Sequence, residues 1–258
     1  MQKMSENDSL KKFIKIVKRL RKECPWDREQ THQSIRHSLI EETYEVIEAI
    51  DHQDLTELKH ELGDVLLHVV LHAIMAEEER AFTFNDVIES ISEKMIRRHP
   101  HVFGSTQVEN AHEVKRNWEH IKQTEGRNSV IDGVPKEMPA LLRALRIQEK
   151  ASKVGFDWKK KRDVWKKVVE EITELSGAEQ SKKQVRIEEE FGDVLFALVN
   201  YSRFIGVNPE FALNGSTNKF SKRFTHIEEE LQRRGKRIGT ASLKEMDEIW
   251  DAKKKSKT

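Results

Sequence analysis

The chain has 258 residues, room for one large domain or two small ones. Its 11 Gly and 5 Pro are roughly half the usual share, which argues against a many-stranded β protein. Lys+Arg 46 nearly cancels Asp+Glu 45, and a net charge of +1 removes the general electrostatic case for nucleic acid. The single cysteine, Cys24, excludes an internal disulfide and a Cys-rich zinc module, and fits a reducing compartment.

Asn7, Asp8 and Ser9 are candidate caps for a first helix to about Glu23, ended by Pro25. The N-terminal residues hold no apolar stretch of the signal-peptide kind. Helical patterns follow at 31–50, 55–80 and 85–98, with a turn at 51–54. The longest apolar run, 65–76, is broken by His68 and His72 and is too short to span a bilayer. The expectation is a cytoplasmic protein with no membrane partner. Residues 99–108 read as irregular, and 110–124 as helical again. Two Gly and two Pro in 125–140 mark a linker, so the expected domains are 1–124 and 141–258. Helices are expected at 139–153, 161–178, 183–205, 209–233 and 242–254. No stretch alternates with period two, so the fold class is all-α.

The two halves repeat. Glu42 and Glu45 are followed by Glu61 and Asp64; Glu171 and Glu174 are followed by Glu190 and Asp193. All four positions shift by 129. The flanks agree as well: residues 25–27 precede the first set as 155–158 precede the second, and 94–98 follow the first as 219–223 follow the second. Together they favour duplication over coincidence.

Residues three apart share a helix face. Each quartet is therefore two carboxylate pairs on consecutive helices, and a short connection between such helices favours antiparallel packing. Gly63 and Gly192 lie inside the second pairs, where a missing side chain would allow close approach. An exposed acidic face is the bland reading of any one pair. Helix phase argues against it here, since Glu42 falls at the edge of an apolar arc while Glu41 and Glu48 lie on the far side. Converging carboxylates repel one another, and a hard cation such as Mg²⁺ or Mn²⁺ resolves that. Four negative charges match two divalent ions, and Mg²⁺ on carboxylates commonly completes its shell with substrate phosphates. Lys167, Lys219, Lys222 and Arg223 are cations for a triphosphate, or ordinary surface residues. Trp250 could stack on a base or cap the core. Asn200, seven residues after Asp193, could hydrogen-bond a sugar or base; its first-half counterpart is Leu71. This asymmetry marks the second half as the main catalyst. No G-x-x-x-x-G-K-[ST] loop is present, which excludes a P-loop NTPase.

The stretches LIEETYEV, HELGDVL, RRHPHVFG, SVIDGVPKEMPALLRA, KASKVGFDW, VVEEITEL, EEEFGDVLFALVN and NKFSKRF resemble the MazG family of nucleoside triphosphate pyrophosphohydrolases in its two-domain bacterial form. The resemblance implies tandem helical bundles completed by homodimerisation. It implies Mg²⁺-dependent hydrolysis of an NTP, broad in base, to NMP and pyrophosphate, in clearing aberrant nucleotides or in nucleotide stress. It implies Glu171, Glu174, Glu190 and Asp193 as catalytic metal ligands. It also implies nucleotide contacts from Lys167, Val168, Val169, Glu170 and Glu171; from Arg186, Ile187, Glu188 and Glu189; from Lys219, Phe220, Ser221, Lys222 and Arg223; and from Trp250. Attack at the α- or the β-phosphorus, and the identity of the base, stay open. Two rivals are a di-iron carboxylate bundle, for which Glu57 with His60 and Glu109 with His112 have the Glu-x-x-His spacing, and a non-enzymatic helical adaptor.

Overall fold

The computed structural model describes residues 5–110, 113–114, 117–118, 121 and 129–255. These residues form helices and turns with no strand among them, and the chain divides into two compact units, Met1–Val114 and Lys115–Thr258. Most of 110–124, the first residues of the expected linker at 125–128, and His112 lie outside the described residues.

In the first unit, α1 (Glu6–Glu23) is capped by Ser5, whose side chain accepts from Asp8 N, and not by the Asn7–Ser9 group. Pro25 does end the α1 pattern, and it also opens a short α2 (Pro25–Glu29) at its first turn, where a missing N–H costs nothing. The next helix, α3 (Arg36–His52), starts five residues later than its pattern, because Thr31 and Ser34 exchange side-chain to backbone hydrogen bonds in a turn. Then follow α4 (Leu55–Glu78), α5 (Phe84–Arg98) and a single turn, α6 (Pro100–Phe103), inside the stretch expected to be irregular. The core gathers around α4. Val70, Leu71, Ala73, Ile74 and Met75 bury against Val17 of α1, Ile35 and Phe84. Leu10, Phe13, Ile14 and Val17 supply the apolar stripe of α1.

The second unit has α7 (Ala140–Lys153), α8 (Lys161–Ser181), α9 (Gln184–Phe204), α10 (Pro209–Arg233), a 3₁₀ turn (Ile238–Thr240) and α11 (Leu243–Lys255). Ile227, Leu231 and Ile249 join α10 to α11, with Trp250 packed against them. Residues 129–132, expected as linker, are held within this unit. Lys150 is buried and its ammonium donates to the carbonyls of Val130 (3.3 Å) and Asp132 (2.9 Å).

The repeat recurs as geometry. In each unit two long helices, α3 with α4 and α8 with α9, pack as a hairpin over a two-residue turn. Each first helix ends on a left-handed residue, Gln53 at φ 57° and Lys182 at φ 54°, again 129 apart. The N-caps differ. Asp54 accepts from Thr56 N and Glu57 N, whereas Lys183 offers no side-chain cap.

Candidate metal and nucleotide site

Each hairpin brings three carboxylates of its quartet together. In the first, oxygens of Glu42, Glu45 and Glu61 lie within 4.8 Å of one another; in the second, those of Glu171, Glu174 and Glu190 do. Asp64 and Asp193 are exposed and stand outside these trios. Gly63 and Gly192 do not serve close approach within the chain, since a Cβ at either would meet open space.

The two trios differ in what surrounds them. Glu171 is 6% exposed, and the Lys167 ammonium one turn earlier sits 2.6 Å from it and 2.7 Å from Glu170. These hydrogen bonds, the Glu170 one foremost, push the lysine further above its usual range, so it is a fixed positive charge. Arg186 approaches Glu190 at 3.7 Å. In the first trio the positions of Lys167 and Arg186 are held by Ser38 and Glu57. Burial, a shared hydrogen bond with Glu57 and the neighbouring Glu45 push Glu61 up to about 7. Burial first, then Glu45 and Asp64, also raise Glu42.

Beside the second trio opens a cavity of about 270 Å³, whose largely apolar lining, Phe156 and Trp158 among it, also includes Lys167, Glu171, Asp193, Gln148, Asn200 and Arg203. Arg203 is locked by Asp157 (2.7 Å) and donates to Asn200 Oδ1 (2.6 Å), which leaves the Asn200 amide free to donate. Gln148 Nε2 donates to the Phe196 carbonyl (2.8 Å), and its buried Oε1 has no partner among the described residues. Sequence reading singled out Asn200 but missed Gln148 and the Asp157–Arg203 pair. Arg203 follows Asn200 by three residues on one helix face, and Asp157 sits in the GFDW stretch, so the signal was there.

The remaining expected residues separate into groups. Val168 is fully buried in the core, Ile187 is half-buried, and Val169, Glu188 and Glu189 are exposed. Lys219, Phe220, Ser221 and Lys222 are exposed on α10, whose main neighbours are α7 and α11. There Phe220 and Arg223 gather on Trp250, at 5.4 Å between ring centroids and 5.1 Å from guanidinium to ring. Within one chain, no described contact joins that cluster to the trio. The Glu57–His60 pair of the di-iron reading is exposed and spaced at 3.8 Å.

The model of the MazG nucleotide pyrophosphohydrolase domain matches residues 30–103 and 160–228, one match on each hairpin. The chain belongs to the MazG family. It is 46% identical over 247 residues to the nucleoside triphosphate pyrophosphohydrolase/pyrophosphatase MazG of Thermotoga maritima, covering 94% of both chains. It is 42% identical over 257 residues to the nucleoside triphosphate pyrophosphohydrolase of Escherichia coli K12, covering 96% of this chain and 98% of that one. Against the longer YabN of Bacillus subtilis it is 47% identical over 250 residues, 95% of this chain and 51% of that protein. Both MazG matches contain their complete quartet. No described helix is long and apolar enough to cross a membrane.

Proposed function

We propose that this MazG chain hydrolyses nucleoside triphosphates to the monophosphate and pyrophosphate with Mg²⁺, or Mn²⁺ in its place, and that the second unit is the main catalyst. The observation that carries this is the convergence of Glu171, Glu174 and Glu190 beside a lysine and a cavity. Three carboxylate oxygens within 4.8 Å are a hard-cation donor set, so the residues fit the ion. Bound Mg²⁺ would supply charge neutralisation along the triphosphate.

The chain's own groups do the rest. Lys167 neutralises Glu170 and Glu171 in the free protein, and once those carboxylates are engaged its ammonium can turn to a phosphate oxygen. Asp193, which lines the cavity outside the trio, is available to orient the nucleotide or the water. A carboxylate accepts the water proton as the new oxygen–phosphorus bond forms and the bridging bond breaks. Attack at the α- or at the β-phosphorus yields the same two products. Asn200 and Gln148 offer one donor and one acceptor to the sugar or base, too sparse a set for strict base selection, which agrees with a broad house-cleaning role. Trp250 with Phe220 and Arg223 forms an aromatic and cationic platform for the same nucleotide. We further propose a homodimer, which would cover the apolar residues exposed on α8 and α9.

The test is a panel of NTPs with Mg²⁺ and products resolved by chromatography. NMP with pyrophosphate, abolished by chelator, is expected; NDP with phosphate would overturn the reading.

A further inference from the structure

At offset 129, four residues that pack the first unit's core, Ile35, Leu67, Leu71 and Ile74, become Val164, Phe196, Asn200 and Arg203. All four second-unit residues line the cavity that Glu171 and Asp193 also line. Equivalent positions of the two repeats are thus packed in one and cavity-lining in the other. Two apolar side chains of a close-packed interior have given way to an amide and a guanidinium. A largely apolar opening of about 270 Å³ forfeits contacts that a packed core makes, and a ligand restores them.

The polar groups of this lining have fixed roles. Asp157 takes the Arg203 guanidinium in a fork, Nη2 at 2.7 Å and Nη1 at 3.4 Å. Nη1 also donates to Asn200 Oδ1 at 2.6 Å. A guanidinium carries donors only, so it fixes which end of the amide is oxygen and leaves the Asn200 N–H groups to donate. Gln148 and Asn200 are more than nine-tenths buried, and Gln148 Oε1 has no partner among the described residues. A ribose, with hydroxyls on several sides, needs more partners than a largely apolar lining gives it. A nucleobase brings two π faces for aromatic side chains such as Phe156, Trp158 and Phe196, and one polar edge of donors and acceptors.

Granting the nucleotide substrate proposed above, we propose that its base enters this cavity, and that Asp157 and Arg203 are positioning residues that present the Asn200 amide to it. Lys167, Glu171 and Asp193 line the same cavity, so a base held there keeps its triphosphate near the carboxylate trio. The first unit, with Leu71 and Ile74 packed at the matching positions, offers a base neither group.

The experiment is side-chain amide NMR of the full-length, chelator-treated protein, titrated with adenosine, with uridine and, as a control, with ribose. Both nucleosides are expected to shift the Asn200 amide saturably, and ribose is not. Asp157→Asn keeps the side-chain size and removes the charge that holds Arg203. It should weaken nucleoside binding about fivefold, the worth of one net hydrogen bond, and the loss should appear in KM for an NTP rather than in kcat. Inhibition of turnover by inorganic tripolyphosphate, which has no base, should stay as in the wild type; an equal loss there would make Asp157 merely structural and overturn its positioning role. Asn200→Leu with Arg203→Ile, which copies the first unit, should abolish nucleoside binding. Should that variant fail to fold, the wild type and Asp157→Asn decide. Nucleosides that shift the Trp250 indole and not the Asn200 amide, or that bind Asp157→Asn with wild-type affinity, overturn the proposal. Nucleoside binding is read without metal or turnover. NMP and pyrophosphate from a protein whose Asn200 amide ignores nucleosides would therefore sink this subsite alone, and NDP with phosphate would sink the reaction alone.

Discussion

Asn200 and Leu71 occupy the same register of the two hairpins, and only the amide can hydrogen-bond a ligand. Arg203 takes up the Asn200 oxygen and leaves its amide as a donor in the cavity that Glu171 and Asp193 also line. Asn200→Leu, the residue already found in the first unit, is expected to raise KM about tenfold, the worth of one or two neutral hydrogen bonds. Steady-state kinetics on an NTP checks this, and an unchanged KM removes Asn200 from the nucleotide site. Glu61 gives a pH prediction. Its ordinary value is 4.5 and its folded value about 7, so between the two the folded state holds the extra proton. Its contribution to stability is therefore fully present below about 4.5 and is lost as pH rises through about 7. Thermal melts of chelator-treated protein should show stability falling across that window, and Glu61→Gln should flatten the fall. A variant with the wild-type slope would place the titration elsewhere.

The proposed assignment of catalysis to the second unit rests on the hairpins. Both have three converging carboxylates and the same left-handed turn, yet only α8 and α9 add a lysine and an arginine to them. A triphosphate brings about four negative charges, and a site without cations repels it. Glu171→Gln with Glu174→Gln is expected to lower kcat by at least a hundredfold, about the loss from removing one or two strongly charged transition-state contacts. Glu42→Gln with Glu45→Gln is expected to leave kcat within about threefold, a difference under 1 kcal/mol. Both changes keep side-chain shape, so circular dichroism confirms the fold while turnover is measured. Loss of turnover in the first-unit variant alone would reverse the assignment.

For the molecule as a whole the telling feature is what α9 leaves uncovered. Its pattern over 194–199 is apolar nearly all round, as in a buried helix, and Val194, Ala197 and Val199 are indeed buried. Phe191 and Phe196, however, stay 54% and 46% exposed, and Val169 and Ile172 of α8 add to the same hairpin's exposed surface. Exposed apolar surface of this kind supports the proposed homodimer. Light scattering at micromolar concentration is expected to give twice the 30.3 kDa chain mass, and a stable monomer would count against the homodimer.

Periodicity and spacing were enough to read the helices, the duplication and both quartets, because a helix face is a local property set by 3.6 residues per turn. Pro25, the hairpin turns and the Asn200–Leu71 difference were legible for the same reason. Tertiary structure decided what depends on how one helix registers against another. It brought three carboxylates of each four together and left Asp64 and Asp193 aside. It opened space at Gly63 and Gly192 where close approach was expected, and tied 129–132 to Lys150 where a linker was read. It set Gln148 and Arg203 around a cavity, and turned His68 toward Glu42. Those are distances between residues far apart in sequence, fixed by core packing that no local pattern encodes.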